Sequence, residues 1–240
     1  MKKCELQKYI SLNELSETKP QPDLNRTELI DLADRLSKKG LPLTDRQQEQ
    51  LWKYAELLLE WNQKVNLISR KDESAVLTKH VIHALSIALF HSFKPKERVL
   101  DLGTGGGLPG IPLAIAFPDT YFLLIDSIGK KIAACSDMIE KLELKNALAQ
   151  KSRSDELKNV KFDVVVSRQV AAMPELCAWC RPLLKKGGKL LCLKGGDLEE
   201  EIGQALIEGA EQLAFPERIE QHPIDFIGEK FKAKVVVIAV

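Results

Sequence analysis

The chain has 240 residues, a formal net charge of +1, and 45% hydrophobic and 29% charged residues. That length supports a full core, as one large domain or a domain with an accessory piece, and the composition is that of a soluble globular protein with no apolar run near the roughly 20 residues of a membrane span. Basic and acidic residues balance along the chain, 14 against 13 in residues 1–80 and 21 against 21 thereafter, so any nucleic acid must be met by a local patch on a neutral protein.

Residues 1–23 are polar, lack sustained periodicity and close on Pro20-Gln21-Pro22, which predicts a loosely held extension without chemistry. The basic start Met1-Lys2-Lys3 is not followed by an apolar segment, so no secretory signal is read and a cytoplasmic location is expected. Five cysteines without a pairing pattern suit a reducing compartment.

Residues 24–93 read as all-helical. One helix is predicted from about Thr27 to Lys39, with Leu29, Ile30, Leu32, Ala33 and Leu36 on its apolar side and Gly40 as its stop. Thr44-Asp45-Arg46-Gln47 is a capping box for a second, in which Leu51, Tyr54, Ala55, Leu58 and Trp61 recur at helical spacing. Residues 73–93 read as one or two more helices. His80 and His83 there have no cysteine or carboxylate at ligand spacing, and no metal is expected.

From residue 94 to 240 the pattern changes to short β-branched or leucine-rich runs separated by helix-length segments. Strands are predicted at 97–102, 121–126, 146–150, 162–167, 188–194 and 234–240, and helices near 110–117, 129–143, 174–185 and 197–213. Such alternation implies crossover units and an α/β, doubly wound, mainly parallel sheet with helices on both faces. Cys177 and Cys180 lie at redox or zinc spacing, but without a second pair they read as the buried face of a helix.

The densest signal is Val99-Leu100-Asp101-Leu102-Gly103-Thr104-Gly105-Gly106-Gly107-Leu108-Pro109-Gly110, a buried strand, a glycine-crowded turn and a helix start. Glycines let the backbone approach a ligand closely, and Asp126 ends the next apolar run at the spacing where a carboxylate meets a ribose diol. Gly105-x-Gly107-x-x-Gly110 also satisfies a dinucleotide fingerprint. Asp101 ahead of the glycines suits the cationic methionine end of S-adenosyl-L-methionine and repels a pyrophosphate, and Pro109 and Pro112 remove N–H donors that a pyrophosphate would use.

Together with Glu60-Trp61-Asn62-Gln63-Lys64-Val65-Asn66-Leu67, Asp126-Ser127-x-x-Lys130-Lys131, Ser167-Arg168 and Lys194-Gly195, this loop resembles the family of glucose-inhibited division protein B, or RsmG, over roughly residues 25–240. The resemblance implies a Rossmann-like, S-adenosylmethionine-dependent methyltransferase fold with an N-terminal helical extension. It also implies methylation of guanine N(7) in 16S ribosomal RNA of the small ribosomal subunit. Cofactor contacts carried over from the family fall on Gly103, Leu108, Ser154, Asp155 and Arg168, beside Asp101, Gly105, Gly107 and Asp126 from the loop reading. Lys130, Lys131, Arg153 and Lys194 are the candidate RNA contacts, with a solvated surface as the alternative for the two helix-opening lysines. No membrane partner is implied, and a monomer is expected. Two alternatives stay open: an inactive, cofactor-binding ribosome-assembly protein, and a methyltransferase of another substrate on the same fold.

Overall fold

The computed structural model describes residues 24–240, and the extension expected at residues 1–23 lies outside them. Asn25 caps α1 (Arg26–Lys38) by accepting from the Thr27 N–H at 2.9 Å, and Leu29, Leu32, Ala33 and Leu36 are buried. Ile30, expected on that side, is 60% exposed. At 100° per residue it lies outside the arc that the other four share. The Thr44 capping box opens α2 (Asp45–Asn62) with both reciprocal hydrogen bonds present.

Residues 70–89 form one irregular helical run rather than regular helices. A 3-10 turn (Arg70–Ala75) passes through a π turn (Leu77–Ile82) and α3 (His83–Leu85) to a second 3-10 turn (Ser86–Leu89). Its stretch from Val76 to Ile87 is buried almost throughout, so burial rather than a clean apolar stripe holds it.

The sheet comprises β1 (Arg98–Leu102), β2 (Tyr121–Asp126), β3 (Ala147–Lys151), β4 (Phe162–Arg168), β5 (Leu184–Gly195), β6 (Ile219–Pro223) and β7 (Lys234–Ala239). Their order is β3-β2-β1-β4-β5-β7-β6. The first five strands pair in parallel, and β7 runs antiparallel to both β5 and β6. The helices α4 (Gly110–Ala116), α5 (Gly129–Lys141), α6 (Met173–Cys180) and α7 (Glu199–Glu208) flank the sheet.

Alternation along the strands divides the core in two. Val99, Val164, Val166, Leu191 and Leu193 point to one side, where α4, α5 and the N-terminal helices contribute Ile111, Met138, Leu36, Tyr54 and Leu58 to a single cluster. Leu100, Leu102, Val165, Leu190 and Cys192 face the other side, against Met173, Leu176, Cys177 and Cys180 of α6 and Ile202 and Ala205 of α7. Cys177 and Cys180 are thus a buried helix face, as the lack of a second cysteine pair implied.

Three segments differ from the sequence reading. The helix expected at 174–185 stops at Cys180, because Pro182 lacks the N–H that would continue the ladder, and β5 has begun by Leu184. The helix expected at 197–213 is α7 followed by a π turn over Gly209–Leu213. Strand β6 was not expected, because Ile-Glu-Gln-His-Pro reads as polar loop; at the sheet edge, polar side chains and a terminal proline are what an outer strand tolerates.

Among the described residues no helix is long and apolar enough to cross a membrane, and no group of three or more His, Cys, Asp or Glu is placed to hold a metal ion.

Candidate active site

The strand order reverses between β1 and β4, and the carboxyl ends of β1, β2 and β4 open there onto a cavity of about 480 Å³. In open α/β sheets this switch point is where ligands bind. Its floor is the glycine loop. Gly103 and Thr104 donate their N–H groups to the Ile125 carbonyl at 3.0 and 2.9 Å, fastening the loop across the end of β2. Tyr54 of α2 donates its buried hydroxyl to the Gly106 carbonyl at 2.9 Å, so the helical segment holds the loop from the opposite side.

Asp101 is fully buried beneath this loop. Its Oδ2 accepts from the Thr104 hydroxyl at 2.5 Å and from the Gly110 N–H at 2.8 Å, while Oδ1 has no partner. Burial pushes its carboxyl up to about 7, against the opposing pull of those two hydrogen bonds. Asp101 is absent from the cavity wall, so the direct contact with a cationic ligand expected from sequence is corrected to a brace that sets the loop and the start of α4. Gly110 must be glycine for this, since a Cβ there would lie 2.6 Å from Asp101 Oδ2 and 2.8 Å from Leu124 Cγ.

The start of α4 is closed to a pyrophosphate. The Gly110 N–H goes to Asp101, those of Ile111 and Leu113 go to the Gly107 and Pro109 carbonyls, and Pro112 has none. The loop instead turns its Gly105 edge to the ligand side. Gly105 has φ +57°, and nothing lies within 4 Å of where a Cβ would stand.

Asp126 ends β2 on the cavity wall and is 8% exposed. Oδ2 accepts from the Gly105 N–H at 3.1 Å and Oδ1 from the Ile128 N–H at 2.9 Å. Each oxygen keeps a lone pair for a further donor. Lys131 Nζ stands 3.9 Å from Oδ2.

Arg168 ends β4 on the same wall. Its Nη2 donates to His80 Nδ1 at 2.8 Å, and no carboxylate of the described residues lies within 4.0 Å of its guanidinium. Burial holds its pKa below the usual arginine value. A largely desolvated cation that Asp101 and Asp72 attract only from a distance, with no direct ion pair, stands on the wall of the cavity and suits an anionic ligand group.

The cavity gathers Gly103, Gly105, Leu108, Asp126, Ser154 and Arg168 of the expected cofactor residues, and Lys131 and Arg153 of the expected RNA contacts. Gly107, Asp155 and Lys130 are not on its wall. Gly107 turns under the loop against Ile111, and Asp155 is exposed and receives the Arg153 Nε–H at 3.3 Å. Lys194 is corrected more sharply. Its Nζ lies 2.7 Å from Glu201 and 2.8 Å from the Ala171 carbonyl, with only 10% of the side chain exposed, so it ties β5 to α7 and offers RNA no free charge.

Trp179, Leu67, Val170 and Ser152 also line the wall and are not among the residues expected there from sequence. Trp179 had a usable signal, since at 100° per residue it falls about 160° from Cys177 and about 100° from Cys180 around α6, and it is 37% exposed and lines the cavity. His80 was weighed in the sequence only as a metal ligand, and its contact with Arg168 had no local signal because that partner lies 88 positions away.

Comparison with known proteins agrees with this geometry. A family model described as rRNA small subunit methyltransferase G matches residues 47–222. The chain is 59% identical over 201 residues to Ribosomal RNA small subunit methyltransferase G of Chlorobium luteolum, spanning 84% of each chain. It is 53% identical over 213 residues to the protein of that name in Chlorobium phaeobacteroides, spanning 89% of this chain and 96% of the relative. Among solved structures, the ribosomal protein L11 methylase of Lactobacillus delbrueckii subsp. bulgaricus superposes with TM-score 0.52 at 19% identity, over 68% of this chain and 78% of that one. The T. thermophilus 16S rRNA N2 G1207 methyltransferase, in complex with AdoMet and guanosine, gives TM-score 0.51 at 16% identity, over 67% of this chain and 42% of that one. At these identities the two structures show the shared Rossmann-like methyltransferase fold.

Proposed function

This chain belongs to the rRNA small subunit methyltransferase G family, and we propose that it transfers a methyl group from S-adenosyl-L-methionine to N(7) of a guanine in 16S ribosomal RNA. The observation that carries the reading is the convergence of the open Gly105 edge, the Asp126 carboxylate and the Arg168 guanidinium, which makes no direct ion pair, on one cavity at the switch point. These residues fit the cofactor: a carboxylate with spare lone pairs for a ribose diol, a cation for an amino-acid carboxylate, and a glycine edge with room for a close approach. The closed start of α4 argues against a dinucleotide.

When bound, the cofactor supplies an electrophilic methyl group on a sulfonium. Guanine N(7) carries a lone pair and no proton, so the protein needs no general base. What the chain contributes is orientation, and effective molarities for well-aligned partners correspond to roughly 7–11 kcal/mol. Asp126 fixes the ribose, Arg168 the carboxylate, and Leu67, Leu108 and Val170 supply apolar wall that limits water around the reacting centre. Lys131 and Arg153 are the wall cations left for RNA phosphate. The protein acts as a monomer in the cytoplasm.

Nucleoside mass spectrometry of small-subunit RNA from cells with and without the gene tests the reading. The expected result is loss of 7-methylguanosine on deletion. Full retention, with no second copy of the gene, favours an inactive binding protein.

A further inference from the structure

We propose that His80 is a positioning residue for Arg168, acting as a neutral hydrogen-bond acceptor that aims the guanidinium into the cavity without neutralising it. The inference rests on the reading of Arg168 as the group that holds the cofactor's carboxylate.

A guanidinium has five donors and no acceptor, so the 2.8 Å contact between Arg168 Nη2 and His80 Nδ1 requires a bare Nδ1 and places the imidazole proton on Nε2. That Nε2 is buried without a hydrogen-bond partner and looks toward Asp72 Oδ2 at 4.0 Å. Asp72 is bound in turn to Lys79. His80 is 6% exposed, and its burial together with the adjacent Arg168 holds it near 3, far below the ordinary histidine value and against the pull of Asp72.

The choice of a neutral partner has a chemical consequence. A carboxylate at this place would form a bidentate pair with Arg168 and compete with an anionic ligand for the same donors. An imidazole acceptor fixes one edge of the fork and leaves the charge available. It also reaches across the molecule, because His80 comes from the helical segment and Arg168 from the sheet. The N-terminal helices thereby complete the cofactor site, beyond the clamp that Tyr54 makes on the loop.

The test is calorimetric titration of the full-length protein with S-adenosylhomocysteine, accompanied by thermal melts. His80→Leu is expected to raise the Kd about tenfold. His80→Asn, which keeps an acceptor oxygen near the Nδ1 position, is expected to stay within about threefold of the unmodified protein. In an Arg168→Ala background, His80→Leu is expected to change nothing further, since a residue that acts through Arg168 has then lost its target. Should the leucine variant fail to fold, His80→Asp supplies the test: it keeps a partner for Arg168 yet claims its charge, so its Kd should rise at least as far. An additive effect in the Arg168→Ala background, an unchanged Kd in folded His80→Leu, or normal binding by His80→Asp overturns the proposal. If Arg168→Ala itself binds normally, the reading of Arg168 fails. If Arg168→Ala is weak while His80→Leu is normal, only the role of His80 fails.

Discussion

Replacing Asp126 by asparagine separates the two duties this residue has been given. In the folded protein its oxygens face the Gly105 N–H at 3.1 Å and the Ile128 N–H at 2.9 Å, and the side chain lies on the cavity wall with 8% exposure. An amide presents one oxygen, so whichever way it turns, its NH₂ meets a backbone N–H. One loop hydrogen bond is lost, which costs about 1–2 kcal/mol of stability, equivalent to a drop of about 2–8 °C in Tm for a chain of this size. The cofactor loses more. The charge that a ribose diol donates to is gone, and the remaining oxygen is already engaged by backbone. Losing a hydrogen bond to a charged acceptor is worth about 1.5–3 kcal/mol, or a Kd for S-adenosylmethionine raised roughly 10- to 150-fold. Calorimetric titration well below the shifted Tm reads the affinity independently of folding. A cooperatively melting Asp126→Asn protein with a Kd within twofold of the unmodified chain would return Asp126 to a loop-capping role alone.

Other perturbations follow from the same geometry. The Asp101 carboxyl, at about 7 in the folded state against 3.8 ordinarily, keeps its proton where the unfolded chain has lost it, so its contribution to stability is complete below about pH 4 and disappears as pH rises through 7. Asp101→Asn should remove that dependence, up to about 4 kcal/mol between pH 4 and 7; denaturant titrations whose pH slopes match in the two proteins would refute it. Gly110→Ala forces a methyl group to within 2.6 Å of Asp101 Oδ2 and should lower stability by about 1–3 kcal/mol, with unchanged thermal melting as the contrary result. Lys194→Ala breaks a largely buried pair with Glu201 and should lower stability by about 2–3 kcal/mol. It should leave the salt slope of RNA binding intact, and a slope reduced by about one unit would restore Lys194 as a phosphate contact.

The parts of the site visible in the sequence are those that local chemistry demands. Gly105 takes a left-handed φ of +57° beside open space and Gly110 packs its backbone against a buried carboxylate, and Asp126 stands at a strand end that opens on the crevice. The capping box at Thr44 and the cysteine face of α6 were legible for the same reason, being set by neighbours within one turn. What escaped depends on partners far along the chain. Lys194 reads as a free cation until α7 brings Glu201 to it, and Asp101 reads as a ligand until the loop folds over it. His80 takes its role from β4. Strand β6 escaped because an edge position, not its own residues, makes it a strand.

Methyl transfer to guanine N(7) from the cavity between β1 and β4 leaves a chemical mark on the RNA. Incubating the purified protein with methyl-labelled S-adenosylmethionine and small-subunit RNA, then reducing with borohydride and treating with aniline, tests it most directly, because aniline breaks the chain only where N(7) was methylated. The expected result is labelled RNA that breaks at a single guanine, with both label and scission lost when Asp126→Asn or Arg168→Ala replaces the unmodified protein at limiting cofactor. Label that resists aniline scission, or no label on either the RNA or the assembled subunit, would contradict it.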